Sequence, residues 1–232
     1  MKIMIICVLI TPTFATEMIN TVLFDMDGLL LDTEPLWGES MWRIANKHEI
    51  PITAGRFKDT TGLRIYEVTD HWALHFPWKG KSALEVAEEI LDDIIELSKL
   101  RGSVMPGVLA LLDLLDANGY KIGLASSSPL RMIEALVTHF NIRERFHCIT
   151  SADAVEWGKP HPAVFLHCAE SLQSMPYECV VLEDSVNGVI AGKAARMKVI
   201  AVPDALHFDD PRFAVADLKL QSLHDIDLDM LS

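Results

Sequence analysis

The chain has 232 residues, enough for one large domain or two modest ones. Half of the residues are hydrophobic and 23% are charged, a composition that excludes disordered, collagen-like and disulfide-dense chains. Acidic residues outnumber basic residues by 33 to 20, and the formal net charge of -13 argues against nucleic acid or an anionic membrane as the main partner. Any anionic substrate must therefore be held by local positive groups.

The N-terminal residues 1–17 differ from the rest of the chain. One lysine, an apolar run and the sequence TPTFA have the form of a short secretory signal, with Ala15 at the cleavage position. Met18, in contrast, opens MINTVLFD, a natural start for a domain that begins on a strand. We expect residues 1–17 to be an N-terminal extension or signal-like segment outside the fold. A cytoplasmic protein with an upstream start is favoured, and export through residues 1–15 is the alternative.

Short apolar runs predict buried strands, and helical patterns separate these runs. The predicted strands cover residues 19–24, 120–125, 148–150, 179–182 and 199–202. Between them, helices are predicted over residues 106–118, from an N-cap at Ser128, and from Pro162. Strands that alternate with helices predict an α/β fold, namely a Rossmann-like doubly wound parallel sheet with helices on both faces.

Residues 35–102 interrupt this alternation, and no strand is predicted among them. Residues 81–101 have the pattern of one long amphipathic helix with six acids outward. The side chains predicted to face inward are Leu84, Ala87, Leu91, Ile94 and Ile95. We therefore expect an all-helical cap domain over residues 35–102, inserted into a catalytic core of residues 18–34 and 103–232.

Polar residues follow the predicted strands, at the carboxyl ends where open parallel sheets bind ligands. These residues are Asp25 and Asp27 in DMDG, Ser126 and Ser127 in SSS, Lys159 in GKP, and Glu183 and Asp184 in EDS. Each has an ordinary structural explanation when it is taken alone, as a turn serine, a helix cap or a surface charge. Together they predict one site for phosphoryl transfer.

A calcium-binding loop is the alternative interpretation of DMDG. Such a loop needs oxygen ligands at its fifth and twelfth positions and a glycine at its sixth. This chain has Leu29, Leu36 and Leu30 at those three positions. Calcium is therefore rejected.

The predicted chemistry begins with Asp25 as a carboxylate nucleophile that forms an aspartyl-phosphate. Asp27 is expected to protonate the leaving alkoxide and then to deprotonate the attacking water. Lys159 and the Ser126 hydroxyl are expected to hold the phosphoryl oxygens, with help from backbone N–H groups near Ser128.

Clustered carboxylates repel each other unless a cation lies among them. We expect Mg²⁺ at this position, because magnesium prefers oxygen ligands. The predicted ligands are Asp25, the backbone carbonyl of Asp27, Asp184 and, through water, Glu183.

The motifs DMDG, GLASSSP, GKPHP and VLEDSVNG resemble the four motifs of the haloacid dehalogenase (HAD) superfamily, and residues 35–102 resemble its C1 helical cap. Further matches, in FDMDGLLLDTEPLW, TGLRI, HFPWKG, KAARM and DPRF, make the chain similar to bacterial 2-deoxyglucose-6-phosphate phosphatases, also described as hexitol phosphatases. The resemblance implies a magnesium-dependent phosphoric monoester hydrolase of carbohydrate metabolism that acts on small sugar phosphates or sugar-alcohol phosphates. Asp27 argues against the dehalogenase branch, which lacks this second acid and needs no metal.

Two alternatives remain open within this resemblance. A β-phosphoglucomutase-like phosphomutase shares all four motifs, and Arg64 in TGLRI lies near the position where a mutase cap has an arginine for a second phosphate. The second alternative is a non-catalytic relative that only binds sugar phosphates.

Four residues are predicted to contact the substrate, since aromatic faces and polar or cationic groups suit a hydroxylated phosphate ester. They are Ser127, Arg64, Trp37 and Lys79. Packing within the cap is the alternative for Trp37, and exposure to water is the alternative for Lys79. The expected partner is a small-molecule phosphomonoester, with no nucleic acid and no membrane, and the protein is expected to be a monomer.

Overall fold

The computed structural model describes residues 19–53 and 63–231. Six parallel strands form one sheet in this part of the chain, in the order β3-β2-β1-β4-β5-β6. Their bounds are β1 Thr21–Phe24, β2 Lys121–Ser126, β3 Cys148–Ser151, β4 Cys179–Glu183, β5 Lys198–Ala201 and β6 Leu218–Lys219. The strand order reverses between β1 and β4, so the carboxyl ends of these two strands lie where open α/β sheets bind ligands. The predicted α/β fold with a parallel sheet is confirmed.

Seven α-helices accompany the sheet within the described residues. Their bounds are α1 Glu34–Lys47, α2 Ile65–His75, α3 Ala83–Arg101, α4 Val108–Ala117, α5 Leu130–His139, α6 Ala163–Ser171 and α7 Val186–Ala194. The described residues from 35 to 102 include α1, α2 and α3 and no strand. The division of this segment into a separate cap domain stays a prediction.

Alternating side chains of each central strand enter two different cores, because successive strand residues point to opposite faces of the sheet. Val22 and Phe24 pack with α4 and α5, whereas Leu23 packs with α6 and α7. All four residues of β1 are buried. Burial on both faces explains the continuous apolar runs in the sequence.

Two details of the predicted helices are wrong. Leu84, predicted to face inward, is 61% exposed, because α3 begins at Ala83 and its buried stripe begins only at Val86. Ser128 is not the N-cap of α5, which begins at Leu130. The Leu130 N–H instead donates to the carboxylate of Asp153, from the segment after β3.

No helix within residues 19–53 and 63–231 combines the length and the apolar character that crossing a membrane requires. The predicted N-terminal extension lies outside the described residues, so the prediction for residues 1–17 remains untested.

Candidate active site at the carboxyl ends of the central strands

A lysine and two carboxylates meet where β1 and β4 end. The Nζ atom of Lys159 lies 2.5 Å from Oδ1 of Asp25 and 2.7 Å from Oε1 of Glu183. The same ammonium donates to the carbonyl oxygen of Ala125 at 3.0 Å. All three charged residues are buried, so each charge depends on the others for compensation.

The start of α7 holds the second oxygen of Glu183. Both the N–H and the hydroxyl of Ser185 donate to Oε2 of Glu183, at 2.9 Å each. The Ser185 hydroxyl also accepts the N–H of Gly188 and so caps the helix. A Cβ at position 188 would lie 1.7 Å from Oε1 of Glu183, so this turn of α7 has room for glycine alone.

Asp184 completes a cluster of three carboxylates with Asp25 and Glu183, whose ligand oxygens all lie within 4.8 Å of one another. Gly28 forms the other wall beside Asp184. Its φ is +78°, and a Cβ there would lie 2.1 Å from Oδ2 of Asp184. This compact set of carboxylate oxygens fits a hard divalent cation.

The electrostatics of the cluster favour a bound cation. Burial raises the pKa of Asp25 to about 8; Lys159 opposes this rise, and the carboxylates of Glu183 and Asp27 add to it. Burial also raises the pKa of Asp184 well above its ordinary value, and Glu183 and Asp25 act in the same direction. Burial alone would discharge Lys159, but Asp25 and Glu183 outweigh it and raise the Lys159 pKa. Lys159 offsets part of the repulsion among the three carboxylates, and a bound cation would offset the remainder.

The carboxylate of Asp27 points into a separate set of three donors. Oδ1 accepts the Thr33 hydroxyl at 2.5 Å and the Trp37 indole N–H at 3.0 Å. Oδ2 accepts the Ser128 hydroxyl at 2.6 Å. These contacts of Thr33 and Ser128 with Asp27 were not predicted from the sequence. Thr33 and Trp37 lie at the start of α1, shortly after Asp27 in the sequence, and this short spacing could have indicated that they contact Asp27.

Comparison with known proteins places the chain in a family. Residues 19–196 match the model of the haloacid dehalogenase-like hydrolases. The chain is also 44% identical over 209 residues to hexitol phosphatase B of Escherichia coli strain K12, an alignment that covers 90% of this chain and 94% of that protein. The chain belongs to the haloacid dehalogenase-like hydrolase family. The predictions of this family and of a phosphoric monoester hydrolase are confirmed.

Solved structures agree with this assignment. CbbY from Rhodobacter sphaeroides, in complex with phosphate, is similar with a TM-score of 0.81 and 25% identity, covering 90% of this chain and 96% of that chain. β-Phosphoglucomutase from Clostridium difficile is similar with a TM-score of 0.78 and 25% identity, covering 91% and 95% respectively. The family fold therefore includes both the sheet and the helices between β1 and β2.

The three serines at the end of β2 and directly after it differ in burial and in hydrogen bonding. Ser126 is buried at the end of β2, and its Oγ accepts the N–H of Ser128 at 3.0 Å. Ser127 is partly exposed. The chain thus turns at these serines so that Ser128 reaches Asp27.

Arg64 connects the residues before α2 to the core of the hydrolase. Its guanidinium donates to the backbone carbonyls of Ala152, Val155 and Glu156, each at 3.2 Å, and to the carboxylate of Glu67. This contact brings the helical segment onto the loop that leads to Lys159.

The predicted substrate-binding residues are dispersed. Trp37 lies at the site but donates to Asp27, and Arg64 holds backbone carbonyls. Lys79 is exposed, and no hydrogen bond or ion pair joins it to the predicted site residues across the described ranges. Whether these residues contact a substrate stays a prediction.

Proposed function

We propose that the protein is a magnesium-dependent phosphatase that hydrolyses small sugar phosphates or sugar-alcohol phosphates, such as 2-deoxyglucose 6-phosphate, through an aspartyl-phosphate on Asp25. The observation that carries this proposal is the position of Lys159 between the carboxylates of Asp25 and Glu183, with Asp184 beside them, at the carboxyl ends of β1 and β4. The 44% identity to a hexitol phosphatase supports the substrate class.

Asp25, Asp184 and the backbone carbonyl of Asp27 would hold Mg²⁺, with Glu183 acting through water. When bound, the ion would neutralise charge on the carboxylates and on the substrate phosphate. Three carboxylates with closely spaced oxygens support this assignment.

Each catalytic residue would carry out a different part of the phosphoryl transfer. Asp25 attacks phosphorus as a carboxylate, and the positive charge of Lys159 favours this ionised form against the effect of burial. The three N–H groups of Lys159 meet Asp25, Glu183 and Ala125, so Lys159 would stabilise the phosphoryl oxygens through its charge, and the Ser126 hydroxyl would hold them. Asp27 protonates the leaving oxygen as the P–O bond breaks, and then takes a proton from the water that hydrolyses the aspartyl-phosphate.

A phosphomutase is the second candidate, because β-phosphoglucomutase from Clostridium difficile has a similar fold. A mutase cap must bind a second phosphate. The five N–H groups of Arg64 are directed at Glu67 and at three backbone carbonyls, which leaves no donor of this guanidinium for a second phosphate. This arrangement favours hydrolysis.

A screen of phosphomonoesters tests the proposal. We expect phosphate release from sugar phosphates with magnesium present, and loss of release in EDTA and in Asp25→Asn. A sugar 1-phosphate supplied with a bisphosphate primer distinguishes a mutase, which would form an isomer instead of free phosphate. A relative that only binds ligand would release no phosphate from any ester.

The location and assembly of the protein are part of the proposal. We expect a monomeric, cytoplasmic enzyme whose partner is its small substrate. N-terminal sequencing of the native protein tests the location, since export would remove residues 1–15. Light scattering of the purified chain tests the monomer.

A further inference from the structure

Trp37 contacts the carboxylate that is expected to move protons. It lies in the first turn of α1, is half-buried, and places its indole Nε1 3.0 Å from Oδ1 of Asp27. An indole N–H can donate a hydrogen bond but cannot accept one. Oδ1 therefore faces a hydrogen atom that no rotation of the donor removes.

The other two partners of Asp27 are hydroxyls, which can donate or accept. The Thr33 hydroxyl can turn from Oδ1 towards the carbonyl of Leu31 at 3.4 Å. The Ser128 hydroxyl, 2.6 Å from Oδ2, can also rotate about its C–O bond. Of these three partners, only the indole N–H cannot turn its hydrogen away from the carboxylate, so it restricts the orientation of Asp27 most.

We propose that Trp37 is a positioning residue that fixes the orientation of the Asp27 carboxylate through its indole N–H. The inference rests on the proposed function, in which Asp27 is the acid and base. In the first step, Asp25 forms a bond to phosphorus, the bond from phosphorus to the leaving oxygen breaks, and a proton moves from Asp27 to that oxygen. In the second step, the water oxygen bonds to phosphorus, the bond from phosphorus to Asp25 breaks, and the Asp27 carboxylate accepts a proton from the water.

Loss of the indole N–H should matter most when the leaving group needs a proton. p-Nitrophenolate leaves without much protonation, phenolate is a poorer leaving group, and a sugar alkoxide is poorer still. The value of kcat/KM reports the steps up to departure of the leaving group, so it isolates the acid role of Asp27.

The test compares Trp37→Phe with the wild-type enzyme on p-nitrophenyl phosphate, phenyl phosphate and 2-deoxyglucose 6-phosphate, with magnesium present. We expect kcat/KM to fall less than about threefold on p-nitrophenyl phosphate, about tenfold on phenyl phosphate, and about thirtyfold or more on the sugar phosphate. Retained p-nitrophenyl phosphatase activity shows that the variant is folded.

Trp42→Phe is the matched control, because Trp42 is on the same helix with 43% of its surface exposed. This control should leave the ratios among the three substrates unchanged. Equal losses of Trp37→Phe on all three substrates would overturn the proposal. So would a loss confined to the sugar phosphate, because that result assigns Trp37 to the sugar. Wild-type phosphate release tests the proposed function separately.

Discussion

Among the residues of the site, one lysine faces three clustered carboxylates. Lys159 pairs with Asp25 and Glu183, and Asp184 is the third carboxylate of the cluster. The repulsion that remains has a measurable consequence, because a buried acid that titrates differently after folding makes stability depend on pH.

The first prediction concerns metal binding and pH. The folded-state pKa of Asp25 is raised from 3.8 to about 8, so the metal-free folded protein binds this proton more tightly than the unfolded chain does. Its stability therefore falls as pH rises from about 4 to about 8, and Mg²⁺, which binds ionised carboxylates, should recover more stability at high pH. We expect added Mg²⁺ to raise Tm more at about pH 8.5 than at about pH 5.5.

Thermal unfolding with and without MgCl₂ at the two pH values measures this effect. In Asp184→Asn the shift at the higher pH should shrink, because the cluster loses one ligand oxygen. An equal Tm shift at both pH values, or an undiminished shift in Asp184→Asn, would contradict the assignment of the metal site.

The sequence predicted the strand-end residues of the site but not the donors to Asp27. Asp25, Lys159, Glu183 and Asp184 directly follow or lie near apolar strands, and a local pattern is enough to find them. The hydroxyl of Ser128 reaches Asp27 across 101 residues of sequence, so its direction depends on tertiary packing. No local pattern distinguishes that role from helix capping.

At the scale of elements, strands buried on both faces were the most predictable features. The predicted ends of β1 to β5 differ from the observed ends by no more than two residues. The sixth strand was missed, because Leu218–Lys219 is two residues long and has no apolar run. Leu84 was wrongly predicted to be buried. Helical periodicity shows which face of a helix is apolar, but it does not show where along the helix neighbouring helices begin to cover that face.

Two glycines in helices give opposite predictions. Gly188→Ala places a methyl group where Oε1 of Glu183 lies, so it must displace the carboxylate that Lys159 contacts. We expect destabilisation of about 1–3 kcal/mol and strong loss of phosphatase activity. In α1, a Cβ at Gly38 meets no atom within 4 Å, so Gly38→Ala should stabilise the protein by about 0.5–1 kcal/mol with activity unchanged.

Urea unfolding and phosphate-release assays on both variants check this pair. A Gly188→Ala enzyme with wild-type activity would show that Glu183 need not occupy its observed position. Destabilisation by Gly38→Ala would show that α1 is packed differently around that residue.

At the scale of the whole molecule, two arginines join the helical segment to the core. Arg64 binds the carbonyls of Ala152, Val155 and Glu156. Arg131 of α5 pairs with Glu88 and Asp92 of α3. These contacts span 39 to 92 residues of sequence, so the sequence predicted the helical segment and not how it meets the core.

Loss of the Arg64 side chain should weaken the contact between the helical segment and residues 152–156 of the core. We expect Arg64→Ala to speed amide hydrogen exchange over residues 152–156, and to lower kcat/KM on sugar phosphates about tenfold, because three hydrogen bonds to the core are lost. Hydrogen exchange with mass spectrometry and steady-state kinetics measure the two effects.

Arg101→Ala is the control for this prediction, because Arg101 pairs with Glu39 at an exposed position, between α3 and α1. It should leave exchange over residues 152–156 unchanged. Unchanged exchange in Arg64→Ala would contradict the proposed connection between the segment and the core.

Chemical trapping of the covalent intermediate tests whether Asp25 is the nucleophile. Acid quenching during turnover of 2-deoxyglucose 6-phosphate with magnesium, followed by borohydride reduction, converts an aspartyl-phosphate to homoserine, which peptide mass spectrometry can locate. We predict homoserine at position 25. Phosphate release with unmodified aspartate at position 25, or with homoserine at another position, would contradict Asp25 as the nucleophile.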